Sequence, residues 1–329
     1  MQWPPINGLL GHSAASLRRL DLFFRELRRD EPGAKLLVTG DLTTRGDQQE
    51  FDTANEYLSD KLHPPRGAYT GLSVPDWRNR AIPGNHDHWP GIDSPPSPPF
   101  LMFGPPELDL PGIFPGLAEP GFTVKLSGGH VVEFLRIDTD ADVGFDSVDR
   151  VLARGVFISQ LRTLGGKLRP PSEKQIRVLC LHHSQHYEAS NRCFPTLEMD
   201  ASSRVELHKF LATHRVSVLL CGHIHRPALL STFRVAVAGG NASRSVLEAR
   251  CGTTTQRDLS LDPKPEFLRF LKSQDLQWPN SLIVHKVRQG DHGSIVWESQ
   301  VYVEGRHEFY LPPLELYGVS TSCSFTVWP

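Results

Sequence analysis

Four short motifs place side chains that hold metals or move protons directly after apolar runs: Gly40-Asp41, Gly84-Asn85-His86-Asp87, His182-His183 and Gly222-His223-Ile224-His225. Each alone reads as an ordinary turn or a polar strand end. Together they share one address, because an α/β protein gathers its ligands beyond the carboxyl ends of its strands. The residue types suit two neighbouring cations about 3.5–4 Å apart. Asp41 offers two oxygens and can bridge both ions, its charge offsetting their repulsion. Asn85 adds a neutral carbonyl oxygen, which binds without quenching Lewis acidity. His182 and His223 complete the shell of the same ion. Extended backbone puts residues two apart on one side, so His225 is directed at the neighbouring ion. Mixed nitrogen and oxygen ligation suits Mn, Fe, Zn or Co. His86, next to Asn85 but outside the ligand set, is placed to act as general acid for a leaving oxygen.

The elements that must carry these motifs follow from apolar periodicity. Leu17, Leu20, Phe23, Phe24 and Leu27 recur at helical spacing, predicting a helix over 13–29 with Ser13 as its cap. Lys35 to Thr39 reads as a buried strand ending at Gly40-Asp41, and Asp47 to Leu62 as a helix with Phe51, Ala54 and Leu58 on one face. Arg80 to Pro83 is a short strand ending at Gly84. Proline and glycine density from Pro90 to Gly121 predicts a long irregular loop that leaves directly from the Asn85-His86-Asp87 turn. Phe122 to Leu126 and His130 to Ile137 read as a hairpin around Ser127-Gly128-Gly129. Helices are expected over 157–168 and 204–214. The apolar runs Ile176 to Leu181 and Val216 to Cys221 are strands that lead into the histidine motifs. Beyond His225, strands over 234–238, 281–287 and 294–303 flank a polar stretch, 251–280, that reads as an insertion with a short helix near 267–271. The alternation predicts an α/β fold with a mixed sheet. It divides as a core over 1–250, the insertion over 251–280 and closing strands over 281–329.

The 329 residues are long enough for a sizeable core, and 39% of them are hydrophobic. Lys and Arg number 35 against 37 Asp and Glu, a net charge of -2 that supplies no field to hold a nucleic-acid backbone or an anionic membrane. No apolar run reaches the length of a spanning helix, and Met1 to Ser13 shows no leader pattern. Five cysteines without a CxxC pair fit reduced thiols, Cys180 and Cys221 being packing residues inside apolar runs. The expected setting is cytoplasmic.

Taken in order, the motifs resemble the calcineurin-like metallophosphoesterases, whose pattern runs D-x-H, G-D, G-N-H-[DE], a histidine ending a strand, and G-H-x-H. The resemblance spans Gly40 to His225 by motif. It implies a four-layer αββα sandwich with mixed β-sheets, a dinuclear centre of divalent ions at the strand ends, and phosphoesterase activity. In that reading two ions clamp a phosphate, a bridging hydroxide attacks phosphorus in line, and His86 protonates the leaving oxygen. The resemblance gives Asp41 the bridging role, assigns Asn85, His182 and His223 to one metal, and His225 to the other. The family's H-x-P places the ligand first, which selects His182 over His183, with Ser184 standing here where the proline would be. GDLTTRG with GNHD is closer to bacterial cyclic-nucleotide and other small phosphodiester hydrolases than to the protein phosphatases, whose pattern is GDxVDRG and GNHE. The implied substrate is a small phosphate ester, with no membrane or nucleic-acid partner. His88, His183 and His186 read as supporting or surface histidines.

The family's N-terminal D-x-H has no counterpart before the first helix. As written, one metal keeps four protein ligands and the other only Asp41 and His225. A core strand with three or four buried apolar side chains contributes about 5–10 kcal/mol at roughly 1.5–3 each, comparable to a domain's whole stability. The expectation is therefore an upstream strand ending in D-x-H, with Met1 an internal methionine. Two competing readings are a metal-binding regulatory or inactive homologue that has lost the first metal's ligands, and a nuclease, against which the absence of a basic stripe speaks.

Overall fold

Alternate residues of two buried central strands face opposite layers, and that alternation organises the molecule. A computed structural model describes residues 13–43, 46–59, 70–88, 109–144, 147–151, 153–186, 199–223, 227–236, 243–252, 254, 279–313, 315–316 and 319–327. In chain order the strands of the first half are β1 (Val38–Thr39), β2 (Ala81–Ile82), β3 (Phe122–Lys125), β4 (Val131–Arg136), β5 (Gln175–Cys180) and β6 (Val216–Cys221). Then follow β7 (Ala228–Ala236), β8 (Ser243–Arg250), β9 (Ser281–Gln289), β10 (Ile295–Glu304), β11 (Phe309–Tyr310), β12 (Glu315–Leu316), β13 (Val319–Ser320) and β14 (Ser322–Val327). The helices are α1 (Ala14–Asp30), α2 (Gln48–Ser59), α3 (Asn85–His88), α4 (Leu110–Ile113), α5 (Val148–Val151), α6 (Ile158–Lys167) and α7 (Ala201–Thr213).

A six-stranded sheet runs in the order β3-β4-β5-β6-β8-β7. Its centre, β4-β5-β6-β8, is parallel, and both edges, β3 and β7, are antiparallel. Strands buried on both faces are dominated by apolar residues, as over 178–180 of β5 and 218–221 of β6. Leu179 and Leu219 face α6 and α7, packing with Leu161, Leu164, Leu207 and Leu211. Val178, Cys180, Val218 and Leu220 face the opposite way. They meet a second sheet, in which β10 pairs antiparallel with β9, β11 and β14. Along β10 the buried residues Ile295, Trp297, Val301 and Val303 recur at even spacing and fill the space between the sheets.

Glu304 ends β10 out of that pattern, buried yet charged. It accepts from Ser16 Oγ at 2.9 Å and from the Asn280 amide, and it pairs with Arg19. This docks α1 on the second sheet, where Phe23 packs on Tyr302 with ring centroids 4.9 Å apart. The layers are therefore helix, sheet, sheet, helix, the expected αββα sandwich. No described helix is long and apolar enough to cross a membrane.

Several elements differ from the sequence reading. The predicted strand over 35–39 contracts to Val38–Thr39, because only those two residues pair, with Ala81 and Ile82. The end of the predicted irregular stretch contains α4, whose Leu110 and Ile113, with Phe114, pack into the cluster that holds Trp77. Strand β8 was not expected, and β7 begins six residues earlier than the predicted strand at Arg234. Residues 89–108, 187–198, 224–226 and 255–278, which include His225, Arg226 and the predicted helix near 267–271, lie outside the described residues.

Candidate metal centre

Each motif follows the strand that the sequence assigned to it, and the structure brings four of the side chains together. Asp41 follows β1, Asn85 opens α3 just after β2, His182 follows β5 and His223 follows β6. Asn85 Oδ1 lies 3.1 Å from His182 Nε2 and 2.9 Å from His223 Nδ1. The two imidazole nitrogens are 3.2 Å apart, and Asp41 Oδ2 is 3.3 Å from His182 Nε2. Two oxygens and two nitrogens thus face one another at near-contact distance.

The backbone is bent to achieve this. Gly40, Asp41 and His223 all have positive φ, at 105°, 54° and 66°. A non-glycine residue held in that region carries strain of order 1 kcal/mol or more, and such strain concentrates at functional sites. Glycine precedes two of the ligands for steric reasons as well. A Cβ on Gly40 would collide with His182 Nδ1, and one on Gly84 with the carboxylate and backbone nitrogen of Asp41.

Asp87 staples the two loops. Its buried carboxylate accepts from the backbone N–H groups of Thr43 at 2.9 Å, Gly84 at 2.9 Å and Leu42 at 3.2 Å, and from Thr43 Oγ1 at 3.0 Å. The His86 N–H donates to Asp41 Oδ1 at 3.1 Å. The fixed turn therefore carries His86 beside the ligand cluster, with its side chain half-buried.

Hydrogen bonding decides which atoms are available to a cation. His182 Nδ1–H donates to the Thr39 carbonyl at 2.7 Å, which turns Nε2 toward Asn85, His223 and Asp41. A backbone carbonyl holding the far nitrogen is the usual support of a metal-binding imidazole. Burial raises the Asp41 carboxyl, but His182, His86 and His223 outweigh it and hold it well below the usual carboxylate range. Burial likewise disfavours charge on His182, yet Asp41 and the Thr39 carbonyl push it up to about 9. The ionised Asp41 favours positive charge beside it, and the N,N,O,O donor set fits a first-row divalent metal.

Behind this cluster, His183 is fully buried. Its Nε2–H donates to the Ala153 carbonyl at 3.1 Å, and its Nδ1 accepts from Thr139 Oγ1 at 2.7 Å. Burial, with His182 nearby, lowers it to about 3, so it is neutral. Its ring packs on His223 with centroids 4.2 Å apart. His88 meets Asp138 at 2.9 Å, and these two with Asp140 form a second group of potential ligand atoms. Sequence reasoning passed over Asp138 and Asp140. The signal was there, two carboxylates spaced i, i+2 at the end of an apolar strand, the same spacing argument applied to His223 and His225. Asp87 too was read only as part of a turn.

A family model described as calcineurin-like phosphoesterase matches residues 12–227. No curated protein matches the chain. Among solved structures, the chain is similar to "GAP50 the anchor in the inner membrane complex of Plasmodium", at 10% identity and a TM-score of 0.39 over 94% of this chain and 87% of that one. It is also similar to the calcineurin-like phosphoesterase YfkN from Bacillus subtilis, at 10% identity and a TM-score of 0.32 over 96% of this chain and 83% of that one.

Proposed function

Because the chain belongs to the calcineurin-like phosphoesterase family, we propose that it is a metal-dependent hydrolase of small phosphate esters, with phosphodiesters as the preferred class. The observation that carries this reading is the convergence of Asp41, Asn85, His182 and His223 on one point. These four residues would hold a Mn, Fe, Zn or Co ion, and His225 and Asp41 would serve a second. Such ions supply Lewis acidity toward phosphate oxygens and acidify water.

The chain's own residues do the rest. Asn85 binds without adding negative charge that would repel the phosphate. Asp87 fixes the turn, and that turn carries His86 to the edge of the cluster. His86 donates a proton to the departing oxygen, a contribution typically worth 10²–10⁴ in rate. Asp41 draws positive charge to the site. The preference for diesters rests on the GDLTTRG and GNHD wording of the motifs.

Hydrolysis of bis(p-nitrophenyl) phosphate and p-nitrophenyl phosphate under manganese titration tests the reading, with Asp41→Ala as control. Diester turnover that falls by roughly 10³-fold in Asp41→Ala is expected, the several kcal/mol of transition-state stabilisation that a metal provides. A protein that takes up manganese yet turns over neither substrate would instead be a regulatory metal-binding homologue.

A further inference from the structure

We propose that His88, Asp138 and Asp140 form a separate divalent-cation site that clips the α3 turn to the end of β4. One ligand atom from each of the three lies within 4.8 Å of the others. His88 closes α3, while Asp138 and Asp140 follow β4, so a cation here joins two segments that are distant in sequence. None of the three is a ligand of the Asp41 cluster.

The decisive group is Asp140. It is 4% exposed, and its Oδ2 is buried without a hydrogen-bond partner among the described residues. His183 Nδ1 lies 3.7 Å away. That nitrogen has no proton to give. His183 Nε2 faces the Ala153 carbonyl and must carry the ring proton, and Nδ1 already accepts from the Thr139 hydroxyl. When ionised, this carboxylate oxygen opposes a lone pair deep in the protein, where an unpaired charge is strongly disfavoured, and burial pushes Asp140 up to about 7.

Asp138 does not relieve it. Its Oδ1 accepts from the Asp140 N–H at 2.9 Å and faces His88 Nε2 at 2.9 Å. Two carboxylates thus share a single imidazole. A divalent cation coordinated by Asp140, Asp138 and His88 satisfies every one of these atoms. One imidazole with two carboxylates suits Mn2+ or a similar first-row ion.

Stoichiometry separates this site from the one described above. The 329-residue protein, stripped with chelator, is titrated with Mn2+ while free ion is followed by electron paramagnetic resonance and bound metal by elemental analysis. Asp41→Asn is expected to retain one ion per chain, and Asp41→Asn combined with Asp140→Asn to retain none. Asp140→Asn alone is expected to lower the count of the parent protein by one and to shrink the rise in melting temperature that Mn2+ produces. His88→Gln provides a second route to the same loss. An unchanged count and an unchanged manganese-induced shift in Asp140→Asn and His88→Gln would overturn the inference while leaving the Asp41 site standing. Absence of any uptake by the parent protein would overturn both.

Discussion

At the scale of single residues, the site separates groups that bind from groups that hold. With His86 as the proposed proton donor, its importance should depend on how badly the departing oxygen needs a proton. His86→Ala is expected to slow an alkyl phosphodiester by 10²-fold or more, within the usual range of general acid catalysis, and to slow a p-nitrophenyl diester far less. Equal losses on both, measured as kcat, would count against the assignment. Asp87 is different in kind. Asp87→Ala would strand the buried N–H groups of Leu42, Thr43 and Gly84. At about 1–3 kcal/mol for each unsatisfied donor, a loss of about 3 kcal/mol or more in denaturant unfolding is expected. A loss below about 1 kcal/mol would mean that the two loops hold their shape without it. The candidate ligands were legible in the sequence because Asp41, Asn85 and His223 each follow a glycine in a short word, and His182 directly follows an apolar strand. The role of Asp87 was not, because three of its four hydrogen bonds run to Leu42 and Thr43, in a loop that the chain brings alongside only on folding.

Elements were legible where the pattern matched the burial. Strands β5 and β6 and helices α1, α6 and α7 appear within a few residues of their expected positions. Strand β8 escaped notice because two of its buried positions, Glu248 and Arg250, are charged and interrupt the apolar pattern of Val246, Leu247 and Ala249. Glu248 is fully buried against the Ser184 hydroxyl, and Arg250 donates to the His186 carbonyl at 3.0 Å. No periodicity of apolar residues announces such a strand. The pairing of β9 with β10 holds a titrating group of its own. Trp297 Nε1–H can only donate, and it donates to His285 Nδ1 at 3.1 Å, so that nitrogen carries no proton and also accepts from Ser299 Oγ at 2.8 Å. The ring is partly exposed, but burial of this edge lowers His285 to about 4. Its folded pKa lies below the unfolded value of about 6.5. The stabilisation is therefore present above pH 6.5 and is lost as pH falls toward 4, by on the order of 2 kcal/mol after allowing for the exposure. Urea unfolding from pH 7 to 4.5 should show this extra slope in the parent protein and not in His285→Gln, and parallel curves would refute it.

For the whole molecule, the space between the two sheets is the common support of everything described. Trp297 is 1% exposed there, among Val301, Val303 and the inward residues of β5 and β6. Trp297→Ala is expected to cost about 3–5 kcal/mol without touching a ligand. Manganese at a hundred times its dissociation constant should return about 2.7 kcal/mol of that, because the metal binds only the folded chain. Thermal unfolding with and without metal checks both numbers. The layered architecture was expected from the alternation of elements and from the family resemblance. The docking of α1 was not, since it depends on Glu304, Ser16 and Asn280 meeting across most of the chain.

The separation of the ligands along the chain also sets an order of events during synthesis. Asn85 and His223 share their contact across 138 residues, and Thr39 steadies His182 across 143. At roughly 5–20 residues per second, a ribosome needs about 10–30 s to reach His223 after Asn85 has been made. For most of that interval the nascent chain carries Asp41 and Asn85 with neither imidazole of the cluster, and His223 follows His182 by a further 41 residues. In the proposed centre, metal loading therefore waits until His223 has been made, and the choice of ion falls to the pool the chain meets from that point on.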